Sequence, residues 1–301
     1  MIFLNEYFQS IAEVDKLGFA NSSNIRISKE YLDNKQFIVF RTCHSYGDWV
    51  LISAIPRLLK QKYPDCTVVI PSPTCISKYF SPNNWHHKHE NPFNNIIEIF
   101  KNNPYVDGMI DEIPENMPVY HDHFRIYNED NDAIPIAQQI LKFWRFSEEE
   151  MEDCEPELYW DENEILIGDK IINKIFGEND FGFLFIDDTF FLTISEIVDD
   201  MPRRRNLIQN EINKHNLNWL YFSGNYDFTY NIGFDKKAIN VKELQISLRV
   251  QNYIKSKSKV LIGHQGGYGS DCMSRYTKCY VVPLTRNQVN EHVVLKTTYI
   301  D

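Results

Sequence analysis

The sequence predicts an α/β protein built from two parallel-sheet domains. Short apolar runs, typical of strands that are buried on both faces, alternate with segments whose apolar residues recur at helical spacing. This alternation runs through both halves of the 301 residues, and a strongly acidic segment separates the halves. The length suits two domains of about 150 residues each.

In the first half, residues 37–40 form an apolar run, and a polar loop then leads to Gly47 and Asp48. Apolar residues at helical spacing follow over 50–59, and residues 67–70 form a second apolar run. A strand, a helix and a strand in this order predict a βαβ unit with parallel strands. The other elements predicted for this half are a long loop over 71–95, a strand near 108–110 and a helix over 133–146.

The second half repeats the pattern. It contains predicted helices over 162–176, 206–215 and 243–256, and predicted strands over 181–186, 219–222, 260–262 and 280–282.

The acidic segment marks the predicted domain boundary. Residues 147–157 contain seven carboxylates and no basic residue, which suits a core poorly. Ligands of parallel sheets bind at the carboxyl ends of the strands, so we expect the loops there to face a cleft between the domains. The predicted organisation is a lead-in over 1–36 packed on the first domain, a first domain over 37–150, an acidic linker over 151–163 and a second domain over 164–301.

Composition limits the class of protein. Hydrophobic residues make up 43% of the chain and aromatic residues 14%, which indicates a folded protein. The formal net charge of −11 argues against the broad basic surface that nucleic-acid binding needs. No signal peptide and no apolar membrane span are apparent, and the six cysteines form no CxxC pair. We therefore expect a cytoplasmic protein with reduced thiols, either soluble or weakly attached to a membrane.

Asp48 is the first candidate for chemistry. It follows the first predicted strand and opens a predicted helix. A carboxylate there can cap the helix, because it accepts hydrogen bonds from exposed main-chain N–H groups. If it instead projects into the cleft, it can accept a proton from a substrate hydroxyl. The spacing leaves both roles open.

A glycine-rich loop follows the strand over 260–262. Residues 263–270 read GHQGGYGS, with four glycines that permit close approach of the main chain to a ligand. The start of a helix there would offer N–H donors to a phosphate. A tight strand–helix turn is the alternative, although one or two glycines would be enough for it.

Arg203, Arg204 and Arg205 are the only run of three basic residues in this acidic chain. One guanidinium in the run can grip a diphosphate through two parallel hydrogen bonds. The other interpretation is a solvated helix start after Pro202.

Histidines raise the question of a metal site. Three lie over 86–89 and two more at 121 and 123, but none is paired with cysteine at zinc-finger spacing and no HExxH occurs. We therefore predict no metal. A serine hydrolase is also unsupported, because the chain has no Gly-x-Ser-x-Gly elbow.

Several segments resemble glycosyltransferase family 9, the heptosyltransferase-like enzymes. Residues 38–70, IVFRTCHSYGDWVLISAIPRLLKQKYPDCTVVI, are similar to the family's opening: a strand, a polar loop, Gly-Asp, a helix with a proline, Tyr-Pro-Asp and a second strand. Further similar segments follow in the family's order over about 37–285, namely NNPYVDGMIDE, EPELYWDENE, WLYFSG, VLIGHQGGYGSDCM and VVPLT.

The resemblance implies a GT-B fold, in which the first of two Rossmann-like domains binds the acceptor and the second binds a sugar nucleotide. It also implies inverting hexosyl or heptosyl transfer without metal or cofactor, onto a glycan or glycolipid of cell-surface polysaccharide biosynthesis. In the family the Gly-Asp aspartate is taken as the catalytic base, and its position matches Asp48. The implied acceptor-side residues are Arg41, His44 and Gly47.

On the donor side the resemblance implies phosphate contacts from Thr189, Arg203, Arg204, Arg205, Gly224, Gln265, Gly266, Gly267 and Ser270. The family commonly has Asp-Thr-Gly-x-x-His in the phosphate loop, whereas this chain has His264-Gln265-Gly266-Gly267-Tyr268-Gly269. The change leaves two alternatives to a transferase. One is a catalytically inactive nucleotide- or carbohydrate-binding protein, and the other is a sugar-nucleotide epimerase or hydrolase on the same fold.

Overall fold

The structure is a computed structural model. It describes residues 32–33, 35–41, 46–79, 94–114, 120, 134–186, 200–223, 228–264, 273–283 and 296–300. The chain divides into two compact units: unit 1 is 1–159 with 289–293, and unit 2 is 160–288 with 294–301. Most of the predicted lead-in over 1–36 lies outside the described residues.

Unit 1 contains a parallel three-stranded sheet in the order β1-β2-β3. Phe37 pairs with Val68, and Val69 pairs with Gly108. The strands are β1 (Gln36–Ile38), β2 (Thr67–Pro71) and β3 (Gly108–Ile110), and the helices are α1 (Tyr46–Val50), α2 (Ile55–Lys62), α3 (Pro73–Tyr79), α4 (Asn95–Phe100) and α5 (Ile136–Phe143), followed by a 3-10 turn over Glu149–Met151.

The single helix predicted over 50–59 is two helices in the structure. Pro56 is the second residue of α2; it lacks an N–H, and in a continuous helix its ring would clash with the carbonyl of Ile52. The chain between α1 and α2 is instead held by tighter bonds, such as those from the N–H of Ser53 to the carbonyl of Val50 and from that of Ile55 to Ile52. Pro56 therefore lies at the start of α2 and prevents one continuous helix over 50–59.

The long loop predicted over 71–95 is wrong over Pro73–Tyr79, which form α3. The Ser72 hydroxyl accepts a hydrogen bond from the N–H of Cys75 at 3.1 Å and so caps the helix. Proline directly after such a serine is favoured at the first helical position. Residues 80–93 lie outside the described part of the chain.

Unit 2 contains a six-stranded parallel sheet in the order β6-β5-β4-β7-β8-β9. Its strands are β4 (Phe181–Ile186), β5 (Asn218–Ser223), β6 (Ala238–Asn240), β7 (Val260–His264), β8 (Lys278–Val282) and β9 (Thr298–Tyr299), and its helices are α6 (Glu162–Phe176), α7 (Met201–Ile212) and α8 (Leu248–Lys257), with a 3-10 turn over Val241–Leu244. The prediction of an α/β protein with parallel sheets is confirmed in both units.

The central strand β4 is buried along its whole length, as its unbroken apolar run predicts. Leu184 and Ile186 pack in a core with Ile208 and Ile212 of α7. The ammonium group of Lys255, on α8, lies 5.4 Å from the ring of Phe183, which points to the other face of the sheet. Helices therefore cover both faces of β4.

Two carboxylates of the acidic segment are buried in the structure. Glu155 and Glu157 are 1% and 3% exposed and belong to unit 1, and the division between the units falls between Tyr159 and Trp160. Arg57 accounts for the burial of Glu157, because its Nε donates to Glu157 Oε2 at 2.8 Å. A carboxylate can be buried when a hydrogen-bonded partner of opposite charge is buried with it.

Within the described part of the chain, no helix is both long and apolar enough to cross a membrane. The cysteines described there, Cys66, Cys75, Cys154 and Cys279, are buried and belong to no disulfide.

Candidate active site

Asp48 lies in the first turn of α1, close to the carboxyl end of β1. Because Asp48 lies inside the helix and not directly before it, Asp48 is not the N-cap of α1. The side chain of Asp48 is 21% exposed, and its Oδ1 lies 3.6 Å from Nη1 of the buried Arg41. That Nη1 also donates to the main-chain carbonyl of Asp48 at 2.8 Å. Arg41 thus fixes the turn that carries Asp48, and the carboxylate remains accessible.

Gly47, predicted on the acceptor side with Arg41, is a buried residue of α1. His44, the third residue predicted there, lies outside the described residues. The structure therefore brings Arg41, Gly47 and Asp48 together.

A buried polar network holds the connection between α1 and α2. The Ser53 hydroxyl donates to the carbonyl of Val50 at 2.6 Å and accepts from the N–H of Glu157 at 2.8 Å. One turn further on, Arg57 pairs with the Glu157 carboxylate at 2.8 Å and donates to the carbonyl of Asp153, also at 2.8 Å. The segment before the unit boundary is therefore attached to α2 and to the connection that joins α2 to α1, the helix that carries Asp48.

The same network changes the pKa of two of its members. Burial by itself lowers the pKa of Arg57, but the hydrogen bond and charge of Glu157 outweigh it, so the pKa is raised. The Tyr159 hydroxyl donates to Glu157 Oε1 at 2.8 Å. Burial and the Glu157 charge together raise the pKa of Tyr159. Tyr159 therefore stays a neutral donor to this carboxylate.

The three arginines at the start of α7 have different surroundings. Arg203 Nε pairs with Asp200 Oδ1 at 3.0 Å, and Arg205 is exposed. Arg204 is buried, and its Nη1 donates to the carbonyl of Pro283 at 2.6 Å. The interpretation of the run as a solvated helix start is therefore wrong for Arg204, which connects α7 to the end of β8.

His264 ends β7 and is fully buried beside Arg204. Its Nδ1 lies 3.4 Å from Nη2 of Arg204. A guanidinium has only donors, so a hydrogen bond in this contact has Arg204 as its donor. Arg204 and His264 therefore lie together at the carboxyl edge of the unit 2 sheet, where parallel sheets bind their ligands.

The remaining predicted donor-side residues lie outside the described part of the chain. They are Thr189, Gly224, Gln265, Gly266, Gly267 and Ser270. Their roles stay predictions.

Sequence reasoning missed His264 as a partner of Arg204, and it missed the Arg57–Glu157 pair. A signal for the first exists, since His264 closes an apolar strand at the edge where ligands bind. No sequence signal exists for the second, because the two residues are 100 positions apart.

The described residues contain no group of three histidine, cysteine, aspartate or glutamate side chains that could hold a metal ion. The histidines considered for a metal, at 86, 87, 89, 121 and 123, are outside these residues.

Comparison with known proteins gives one kind of likeness. No protein-family model matches the chain, and no curated protein matches its sequence. Among solved structures, a glycosyl transferase of family 9 from Veillonella parvula is similar, with a TM-score of 0.52 and 9% sequence identity. The similarity covers 88% of this chain and 84% of that one. The chain is therefore similar in fold to a glycosyl transferase of family 9.

Proposed function

We propose that the protein is a glycosyltransferase that moves a sugar from a nucleotide-sugar donor to a hydroxyl of a glycan or glycolipid acceptor. The supporting observation is the fold similarity to a glycosyl transferase of family 9, which extends over 88% of the chain. Fold alone does not determine function, so the proposal depends equally on the chemistry available around Asp48.

The proposed fold class is GT-B, with the acceptor bound by unit 1 and the sugar nucleotide by unit 2. Asp48 and Arg41 lie where the chain leaves β1, the first strand of the unit 1 sheet. In unit 2 the carboxyl edge carries His264 and Arg204. Substrates of parallel α/β domains bind at this edge of the sheet, which supports the assignment in each unit.

The proposed reaction is a direct displacement with inversion. The Asp48 carboxylate takes the proton from the acceptor hydroxyl as that oxygen attacks the anomeric carbon. A new carbon–oxygen bond forms while the bond to the nucleoside diphosphate breaks, and the diphosphate leaves with the bonding electrons. Arg41 acts as a positioning residue here, because it holds the main-chain carbonyl of Asp48 at 2.8 Å.

The departing diphosphate carries negative charge that the protein has to stabilise. In the proposed site, Thr189, Gly224 and the loop residues Gln265, Gly266, Gly267 and Ser270 supply donors in place of a metal. Arg203 and Arg205 supply positive charge nearby. Arg204 has a different role, since it donates hydrogen bonds to the carbonyls of Val282 and Pro283. It therefore positions the carboxyl end of β8.

The first experiment measures donor binding by thermal shift, with ADP-, UDP-, GDP- and CMP-sugars added to the full chain. A true donor at one hundred times its Kd stabilises the protein by about 2.7 kcal/mol, which gives a clear rise in Tm. If none of the four classes raises the Tm, the donor proposal is wrong.

The second experiment tests Asp48 with the donor that binds. We expect Asp48→Asn to lower the transfer rate by about 10²- to 10⁴-fold and leave the donor-induced thermal shift unchanged. Asp65→Asn is the matched control, since its side chain is 84% exposed on the turn between α2 and β2. Transfer by Asp48→Asn at the wild-type rate would remove Asp48 from the base role.

Product analysis separates this proposal from its alternatives. Transfer requires an acceptor and persists with EDTA, whereas a hydrolase or an epimerase changes the donor without an acceptor. Donor binding with no product under either condition indicates an inactive binding protein.

A further inference from the structure

The edge of the unit 2 sheet at which the strands begin is basic. All six strands are parallel, so their first residues lie at one edge, here called the amino edge. Lysines stand at or just before the starts of β5, β6, β7, β8 and β9, and they are Lys214, Lys237, Lys257, Lys259, Lys278 and Lys296. Five strand spacings of about 4.8 Å make this edge about 24 Å long.

Carboxylates neutralise part of this charge. Lys214 pairs with the buried Glu211 at 2.6 Å, and Lys259 pairs with Asp180 at 2.9 Å. Lys237, Lys257 and Lys278 are exposed and form no ion pair with any carboxylate of the described residues. The amino edge therefore keeps positive charge in a chain whose net charge is −11.

An exposed aromatic residue stands in the same region. Phe234 is 108% exposed, which means that its ring has no cover from the rest of the protein. Phe234 lies in a turn in which Gly233 adopts a φ of +98°. The N–H of Lys236 donates to the Gly233 carbonyl across this turn at 3.3 Å. The carbonyl of Lys237 then accepts from the N–H of Trp219 at 2.8 Å, which fixes the turn beside the start of β5.

We propose that the amino edge is a docking surface for an anionic lipid bilayer, with Phe234 in the interfacial layer and the lysines against the headgroups. A ring at the level of the headgroups with several lysines around it is the pattern by which peripheral proteins bind such surfaces. Each lysine near an anionic leaflet adds to the electrostatic attraction between the protein and the bilayer, and this attraction becomes weak beyond about 10 Å at moderate salt.

The partner follows from combining charge with an apolar group. The phosphate backbone of a nucleic-acid duplex would satisfy the lysines, but it offers no apolar layer for an uncovered phenylalanine. The bases of a single strand could stack on the ring, so the test below includes a single-stranded RNA. The amino edge is also opposite the carboxyl edge, which carries Arg204 and His264. Bilayer docking therefore leaves the edge proposed for the sugar nucleotide open, and it stands even if that function is wrong.

Vesicle co-sedimentation of the full chain tests the proposal. We expect binding to phosphatidylcholine vesicles with about one third phosphatidylglycerol, weak binding to phosphatidylcholine alone, and loss of binding at high salt. Lys237→Glu with Lys278→Glu should reduce partitioning at least about tenfold. Phe234→Ser should reduce it without changing its salt dependence.

The matched control is Lys170→Glu with Lys242→Glu, which makes the same change in net charge. Lys170 lies on α6, and Lys242 follows the carboxyl end of β6, away from the amino edge. Equal loss of binding in both double variants would overturn the assignment to this edge. Tighter binding to a single-stranded RNA than to anionic vesicles, or no difference between the two vesicle types, would overturn the bilayer as the partner.

Discussion

Replacing Arg57 with methionine should destabilise unit 1 strongly. The side chains of Arg57 and Glu157 are 10% and 4% exposed, and their charged atoms are 2.8 Å apart. Removal of one partner from a buried pair costs about 3–5 kcal/mol, because the remaining charge stays buried without compensation. Arg57 also holds Asp153 through a contact at 3.0 Å, but that carboxylate is half-exposed and can return to water. We therefore expect about 3 kcal/mol.

The assay is thermal unfolding followed by circular dichroism. For a unit of this size each kcal/mol lowers the Tm by about 2–4 °C, so the expected fall is about 6–12 °C. Lys35→Met is the control: it removes an exposed pair with Asp65 at 3.2 Å, which is worth at most about 1 kcal/mol. A Tm for Arg57→Met no lower than that of the control would refute the reasoning. The double variant Arg57→Met with Glu157→Leu should recover part of the loss, because no unpaired charge remains.

Two further predictions concern backbone space and pH. Gly182→Ala should lower the free energy of unfolding by about 1–3 kcal/mol, because the added Cβ lies 2.3 Å from the fully buried Trp219 ring. The control is Gly108→Ala, whose added Cβ has no atom within 4 Å, and both variants are compared by their Tm. The pKa of Asp107 is lowered: partial burial raises it, but hydrogen bonds from Lys60 and from a main-chain N–H of β2 outweigh that effect. The pair of Lys60 and Asp107 therefore stabilises the fold above about pH 4, and this stabilisation is lost as the pH falls through the lowered pKa of Asp107. Because Asp107 is half-exposed, the stabilisation is at most about 1 kcal/mol. Asp107→Asn should be less stable than wild type at pH 7, and the difference should shrink as the pH falls through the lowered pKa of Asp107. A difference that stays constant down to acid pH would contradict the assignment.

The sequence predicted the strands well because their signal is local. The apolar run over 181–186 needs no partner to be recognised, and β4 (Phe181–Ile186) begins and ends where predicted. Helix α6 was predicted with its observed bounds for the same reason, since Asp161 and Glu164 form a capping box at its start. Short edge strands carry too little pattern, so β6 and β9 were missed.

The site was predicted less well, because its contacts are not local. Asp48 was placed correctly after β1, but its contact with Arg41 depends on where the chain turns back. Arg203, Arg204 and Arg205 look equivalent in sequence. Only the position of each on α7 relative to the sheet decides which one is buried. Burial of Glu157 within an acidic segment similarly depends on a residue far away in the chain.

That distance has a consequence for the order in which the protein is made. The guanidinium of Arg57 obtains its carboxylate only when the chain has been extended by 100 further residues, which takes the ribosome about 5–20 s. The Ser53 hydroxyl likewise obtains its hydrogen bond from the N–H of Glu157 only after 104 further residues have been added. During this interval α2 and its connection to α1 lack the contacts that Glu157 provides. A fragment that ends at residue 150 would preserve that unfinished state, so a fragment meant to contain the continuous part of unit 1 should extend to Tyr159.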